Sequence, residues 1–350
     1  MKNKGLTISL TVVSVAMAAS LAYFVTAPTH QTSLNGLGSR KASAHFNTSM
    51  NTMISEVTGV ESKYSLPYDM TAAPKADEAN YSEIIEDGIT KYKYEDETIS
   101  VTAWTERMTK KINGKKCTAE YAFADVQISD PSQFRRGWTD NNPIKPGKLP
   151  PTTIFNNCNG IVGMSSDFYS NRKYGYIYQY GEEVMSKKST KDKSNDVLVV
   201  DYNGDFHIYD SVDFEKKAAS EGTKFTDNIM FSFTFGPALV VDGKNTNSSK
   251  FKSQKLGEID HLQARACIGQ LGKLHYLLCT VGEVGADMPT LADEMVARGC
   301  ITAYNLDGGQ SGTLLFKNKH INTIAYNSGS KEKYGERAQD NIIYFGTAKQ

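Results

Sequence analysis

Charged residues are absent from Leu6 to Ala27, and beyond about residue 88 apolar positions fall into short runs broken by turn residues. The first pattern, preceded by Lys2 and Lys4, predicts a helix long enough to cross a hydrocarbon layer about 30 Å thick. It exceeds the roughly 7–15-residue apolar region of a secretory signal. Small-residue cleavage patterns occur at Ala16-Met17-Ala18 and Val25-Thr26-Ala27, the latter followed by Pro28. The preferred reading of residues 1–28 is a signal anchor with its N-terminus inside, and a cleaved signal peptide is the alternative. Either one exports the remainder. Residues 29–87 are rich in Ser, Thr, Asn and Ala, with little apolar periodicity before Tyr81–Ile85, and read as a partly disordered low-complexity stalk.

From about Ile89 the pattern predicts strands. Ile99–Trp104 alternates, and Ala119–Ile128 is a second strand ended by Ser129-Asp130-Pro131. Residues 141–153 carry four prolines and read as a loop. Val197–Tyr202 and Asp205–Tyr209 flank Asn203-Gly204, the residue pair preferred in type I′ hairpin turns. Asn228–Val241 is a strand interrupted at Gly236-Pro237 and followed by an Asp242-Gly243 turn. Arg265–Gln270 and Leu274–Val281 form a further pair, and Asn341–Phe345 closes the chain as a strand. Thr290–Gly299 is the clearest helix, with Thr290 as its cap and Gly299 as its stop. The predicted fold is α+β, a strand-dominated mixed-sheet domain over residues 88–350 with a few helices.

Composition narrows the function. Lys+Arg and Asp+Glu both number 39, so the basic footprint of a nucleic-acid-binding domain is missing. Nineteen tyrosines and fifteen phenylalanines against two tryptophans suit a β-rich core or a surface that stacks on sugars. Cys117, Cys158, Cys267, Cys279 and Cys300 include no Cys-x-x-Cys pair, which excludes metal-ribbon and thioredoxin motifs. Export permits a Cys117–Cys158 bridge, while the other three cysteines sit in apolar contexts and read as core. Six histidines form no short-range ligand motif, so no zinc site and no cofactor are predicted. An oxygen-ligated calcium or magnesium site stays open.

Candidate chemistry lies in four segments. In Ala303–Leu314, Asp307 precedes Gly308-Gly309, which allow close backbone approach, and Asn305, Gln310, Ser311 and Thr313 add hydrogen-bonding side chains. In Gly163–Tyr169, Asp167 reads as nucleophile, base, metal ligand or turn cap. Arg265 opens an apolar strand, so it faces an anionic ligand or a nearby carboxylate. Glu336 and Arg337 stand just before the final strand, beside its edge or as solvated loop charges.

Taken in order, these segments resemble the phosphodiester glycosidase family, whose bacterial members are associated with exopolysaccharides. The family's Ala-Ile-Asn-Gly-Asp/Gly-Phe/Tyr corresponds to Gly163–Tyr169, and its Phe-Gly-Pro-x-Leu to Phe235–Leu239. Its Pro-Arg-Thr-Ala-Ile-Gly corresponds to Ala264–Gly269, its Asn-Leu-Asp-Gly-Gly-Gly-Ser-Ser-Thr to Asn305–Thr313, and its terminal Arg-x-x-x-Asp to Arg337–Asn341. The likeness spans about Ile89 to Phe345. Departures are Ser165-Ser166 for Asn-Gly, Gln310 for the third glycine, Gly312 for the second serine, Asn341 for the late aspartate, and Ala264 and Ala338 for prolines.

The resemblance implies cleavage between an anomeric carbon and a phosphate oxygen. A phosphomonoester with a second pKa near 6 leaves far more readily than an alkoxide. The implied catalytic set is Asp167, Asp307, Arg265 and Glu336, and the substrate-binding set Asn305, Gly308, Gly309, Ser311, Thr313 and Arg337. Arg265 would grip phosphate with the N–H groups of Gly308 and Gly309, while Asp307 and Asp167 face the sugar, one as base or nucleophile and the other orienting hydroxyls. The expected location is the cell membrane, with the domain outside, or the medium if the N-terminal segment is cleaved. The departures keep open a second reading, a surface-anchored glycan-binding or exopolysaccharide assembly protein with a degenerate site.

Overall fold

A computed structural model describes residues 72–139, 142–172, 174–187, 196–246, 261–324 and 336–348. The apolar N-terminal segment and most of the stalk lie outside the described residues. No described helix is long and apolar enough to cross a membrane.

Among the described residues strands dominate and form three sheets. The largest runs edge to edge through Tyr81–Glu86, Ile89–Glu95, Ile99–Ile112, Lys115–Ile128, His275–Ala286, Gln263–Gly272, Thr302–Leu306, Ala238–Val241 and Lys244–Asn245. A second orders Phe206–Asp210, Asp196–Asp201, Ile229–Phe233, Gly175–Gln179 and Glu182–Lys187. The third orders Lys319–His320, Leu314–Phe316, Val162–Ser165, Asn341–Phe345 and Phe134–Trp138. Neighbouring strands in these sheets pair antiparallel.

The sheets meet on aromatic rings. Phe134 of the third sheet lies 5.7 Å from Phe231 of the second and 5.2 Å from Tyr276 of the first, ring centre to ring centre. All three side chains are fully buried. Offset and edge-on packing at such separations adds to the stabilisation from area burial.

Several local expectations are corrected by the backbone. Only Gly204 of the Asn203-Gly204 pair has positive φ, so the turn is wider than type I′, and Asp201 Oδ1 accepts from the Asn203 and Asp205 N–H groups. Asp242-Gly243 does form the mirror-image turn, with φ of 51° and 69°. The predicted strand Asn228–Val241 divides between two sheets at a cis Gly236–Pro237 bond. Part of the proline-rich loop becomes the helix Pro151–Asn157, since proline suits a first helical position. The last stalk residues belong to the fold: Tyr81–Glu86 pairs with Ile89–Glu95, and Ala73 donates to Cys158 O. Cys117 and Cys158 are free thiols, one half-buried on a strand and the other buried against Gly137, so that bridge is not formed.

The predicted helix spans Met288–Ala297, and its cap is Asp287, whose carboxylate accepts from the Thr290 N–H. Thr290 is the capped residue, not the capping one. Asp287→Ala is expected to cost ~1 kcal/mol of stability in denaturant unfolding. Thr290→Ala is expected to change it by less than about 0.5 kcal/mol.

Candidate active site

Two strands from different sheets end at the same place. Val162–Ser165 lies centrally in the third sheet, and Thr302–Leu306 lies inside the first. Residues 307–313 then carry the chain from the first sheet into Leu314–Phe316 of the third. The crossing is clamped to the segment after Val162–Ser165. Asp307 N–H donates to Ser166 O at 3.0 Å, and Ser165 Oγ donates to Asp307 O at 3.0 Å. Farther along, Gln339 Nε2 donates to Ser311 O and Asn322 Nδ2 to Gly312 O, both at 2.8 Å. A Cβ on Gly308 would stand 2.5 Å from Ala264 O and 2.8 Å from Arg265 Cα. The loop therefore lies directly on the strand below. Gly309, at φ 60°, has open space where a side chain would be.

This loop holds hydrogen-bonding capacity that the fold does not use. Asn305 Oδ1, Asp307 Oδ2, Ser311 Oγ and Thr313 Oγ1 are buried without a partner. Each such group costs about 1–3 kcal/mol of desolvation, so their concentration within nine positions calls for a functional cause. Burial raises the pKa of Asp307 to about 6, while the nearby Ser311 hydroxyl and the Arg172 and Arg337 charges pull it down and Asp340 pushes it up.

Asp167 has a different environment. It is fully buried in an ion pair with Arg136 and accepts the Thr234 N–H at 3.2 Å. Arg136 also donates to Asn341 Oδ1 and Ser232 O, each at 2.9 Å, and its guanidinium lies over Trp138 and Phe233. Burial raises the Asp167 pKa against the opposing Arg136 charge. With both oxygens engaged inside the protein, Asp167 holds backbone; the expectation that it faces the sugar does not match this placement. Phe168, directly after it, has φ 47°, a left-handed conformation unusual for a bulky residue.

The other expected residues divide. Arg265 Nε and Nη2 donate to the carbonyls of Ala286 and His261, so these two nitrogens are engaged with backbone. Glu336 accepts from Thr152 N–H and Oγ1 and pairs with His320, tying the Pro151–Asn157 helix start to the strand Lys319–His320. Arg337 is exposed, and its charge reaches Asp307. Asn305 Nδ2 donates to Gly236 O at 2.8 Å, locking the cis-proline turn against the approach to Asp307.

Sequence reasoning missed Arg136, Thr234 and Arg172. The first had a signal, a charged pair set inside the otherwise apolar stretch Phe134–Trp138. Among the described residues no group of three or more His, Cys, Asp or Glu side chains could hold a metal ion.

A sequence model of phosphodiester glycosidases matches residues 157–346, which include both clamped segments and the loop between the sheets. The chain belongs to the phosphodiester glycosidase family. A search of curated protein sequences finds no match. Among solved structures, the catalytic domain of zebrafish N-acetylglucosamine-1-phosphodiester α-N-acetylglucosaminidase, auto-inhibited by its pro-peptide, is similar in fold. That similarity has 12% identity and a TM-score of 0.55, covering 72% of this chain and 84% of the zebrafish one. A hypothetical protein from Synechocystis aligns at 10% identity over 78% of this chain and 80% of its own, with a TM-score of 0.43.

Two residues that depart from the family pattern make contacts that hold the site. Ser165 donates to the Asp307 carbonyl, and Asn341 accepts from Arg136 while Asp167 supplies the countercharge.

Two stability measurements separate the carboxylates. Asp167→Asn leaves Arg136 buried without its counterion and is expected to cost about 3–5 kcal/mol in denaturant unfolding. Asp307 binds its proton more tightly folded than unfolded, so its ionisation costs stability as pH rises from about 4 through about 6. Asp307→Asn is therefore expected to stabilise the protein by about 1–3 kcal/mol at pH 7–8, with the gain gone by about pH 4.

Proposed function

We propose that the chain hydrolyses a sugar-1-phosphodiester of an extracellular or cell-envelope glycan, with Asp307 as the general base. What carries this reading is one carboxylate oxygen, Asp307 Oδ2, buried and without a partner on a group whose pKa lies near 6. A base poised near the operating pH is the efficient one. Water adds to the anomeric carbon as the C1–O bond to phosphate breaks. The bonding pair leaves on the phosphate oxygen, and the water proton passes to Asp307. With a second pKa near 6, the phosphomonoester leaves without an acid to protonate it.

Asp307 acts alone in this scheme. Asp340 accepts from Ser170 N–H and Asn341 Nδ2, Glu336 is tied to Thr152 and His320, and Asp167 to Arg136. A retaining mechanism uses a second carboxyl group, so the reaction proceeds by single displacement with inversion. Gly308 and Gly309 N–H groups take no part in the loop's own hydrogen bonds and, with Arg337, face the leaving phosphate. Ser311, Thr313 and Asn305 serve the sugar hydroxyls. The uncharged run Leu6–Ala27 tethers the domain outside the membrane.

The test incubates the full chain in detergent with a methyl phosphodiester of N-acetylglucosamine 1-phosphate and related sugar-1-phosphodiesters, following released reducing sugar. Expected are an inverted first-formed anomer by NMR and a kcat/KM that rises through about pH 6. Asp307→Asn is expected to lower kcat by about 10²–10⁴-fold. Retention of configuration would overturn the single displacement, and near-normal turnover by the Asn variant would overturn Asp307 as base. Binding without turnover would instead support the glycan-binding reading, which the substitutions at Gln310 and Gly312 favour.

A further inference from the structure

Arg172 ends the short helix Tyr169–Arg172 that follows Asp167. That helix is held from below: Ser170 N–H donates to Asp340 Oδ2, and the Tyr169 ring packs edge-on against Trp138, 5.4 Å between centroids. The guanidinium lies 3.7 Å from the centre of the Phe235 ring, and Nη1 donates to Phe235 O at 3.1 Å. Phe235 is fastened to the approach of the Asp307 loop. Its N–H donates to Tyr304 Oη, and the next residue, Gly236, exchanges hydrogen bonds with Asn305. Arg172 is thus fixed through Phe235 to the strand that leads into the Asp307 loop, and Nε and Nη2 are unclaimed by any described residue. Its charge acts on the Asp307 carboxylate.

Arg265, the arginine that the family pattern picks out, spends its corresponding nitrogens on backbone carbonyls. We propose that Arg172, not Arg265, joins Arg337 in binding the substrate's phosphate and makes the site selective for an anionic leaving group. One flat face rests on Phe235 and one nitrogen is pinned, so the fork is pre-oriented before the anion arrives. That lowers the ordering cost of a charge-assisted, two-pronged contact. The proposal deepens the hydrolase reading and shares its site.

The test uses inorganic phosphate as the probe, so it does not depend on turnover. Phosphate affinity of the full chain is measured by calorimetry for wild type, Arg172→Met, Arg172→Gln, Arg172→Lys and Arg265→Met, with near-UV circular dichroism confirming the fold. Expected is a roughly 10–100-fold weaker Kd for the Met and Gln variants, partial recovery in the Lys variant, and a near-normal Kd for Arg265→Met. Wild-type phosphate affinity in folded Arg172→Met or Arg172→Gln would overturn the proposal, as would a wild type that binds no phosphate. Loss of affinity in Arg265→Met with Arg172→Gln unaffected would return the role to Arg265. If phosphate binding depends on Arg172 while no sugar-1-phosphodiester is cleaved, the anion site stands and the hydrolase reading falls.

Discussion

A guanidinium and a carboxylate, both wholly out of water, hold the site together. Arg136 lies on the strand Phe134–Trp138 and Asp167 in the segment after Val162–Ser165, and their partners Ser232, Thr234 and Asn341 come from two more segments. Desolvating two charges costs several kcal/mol each, and the cost is offset only where the remaining donors and acceptors are also satisfied. Here they are, with Trp138 and Phe233 rings on the guanidinium besides. The pair therefore ties the third sheet to the second at a fixed geometry. The loop after Val162–Ser165 inherits that geometry and passes it to Asp307 through Ser165 and Ser166.

The fold thus spends its polar groups unevenly. Beneath the site, buried acids are matched: Asp167 by Arg136, and Asp340 by the Ser170 and Asn341 donors. In the crossing loop they are left over, with four buried oxygens unclaimed between Asn305 and Thr313. A rigid, satisfied base and an unsatisfied top are what a binding site requires, because ordering is completed before the ligand arrives. The consequence is a local stability cost, concentrated on the ionised form of Asp307.

Charge at the Asp307 carboxylate shows why nearness along the chain and nearness in space part company. Arg265 sits one residue from Ala264, whose carbonyl presses on Gly308, yet its side chain is turned to His261 and Ala286. Arg172 lies more than a hundred residues before the loop, yet its charge falls on Asp307. Glu336, legible as an acid near a strand, is a tether between helix Pro151–Asn157 and His320. Motif spacing identifies segments that pack together. Side-chain direction depends on which strand face and which neighbouring sheet each residue meets, and spacing carries no record of that.

Sequence alone located the strand pair around Arg265–Gln270, the closing strand Asn341–Phe345, the Asp242-Gly243 turn, the helix near Thr290 and the family itself. These follow from local backbone preference and from the order of short motifs, both of which are written residue by residue. It also singled out Asp307 and its two glycines. The tertiary structure decided that Asn228–Val241 serves two sheets, that Asp167 is sealed against Arg136, and that Asp307 keeps an oxygen without a partner. Each of those depends on burial and on partners brought from distant segments. Whether an acid is paired or left wanting is settled by the shape that surrounds it.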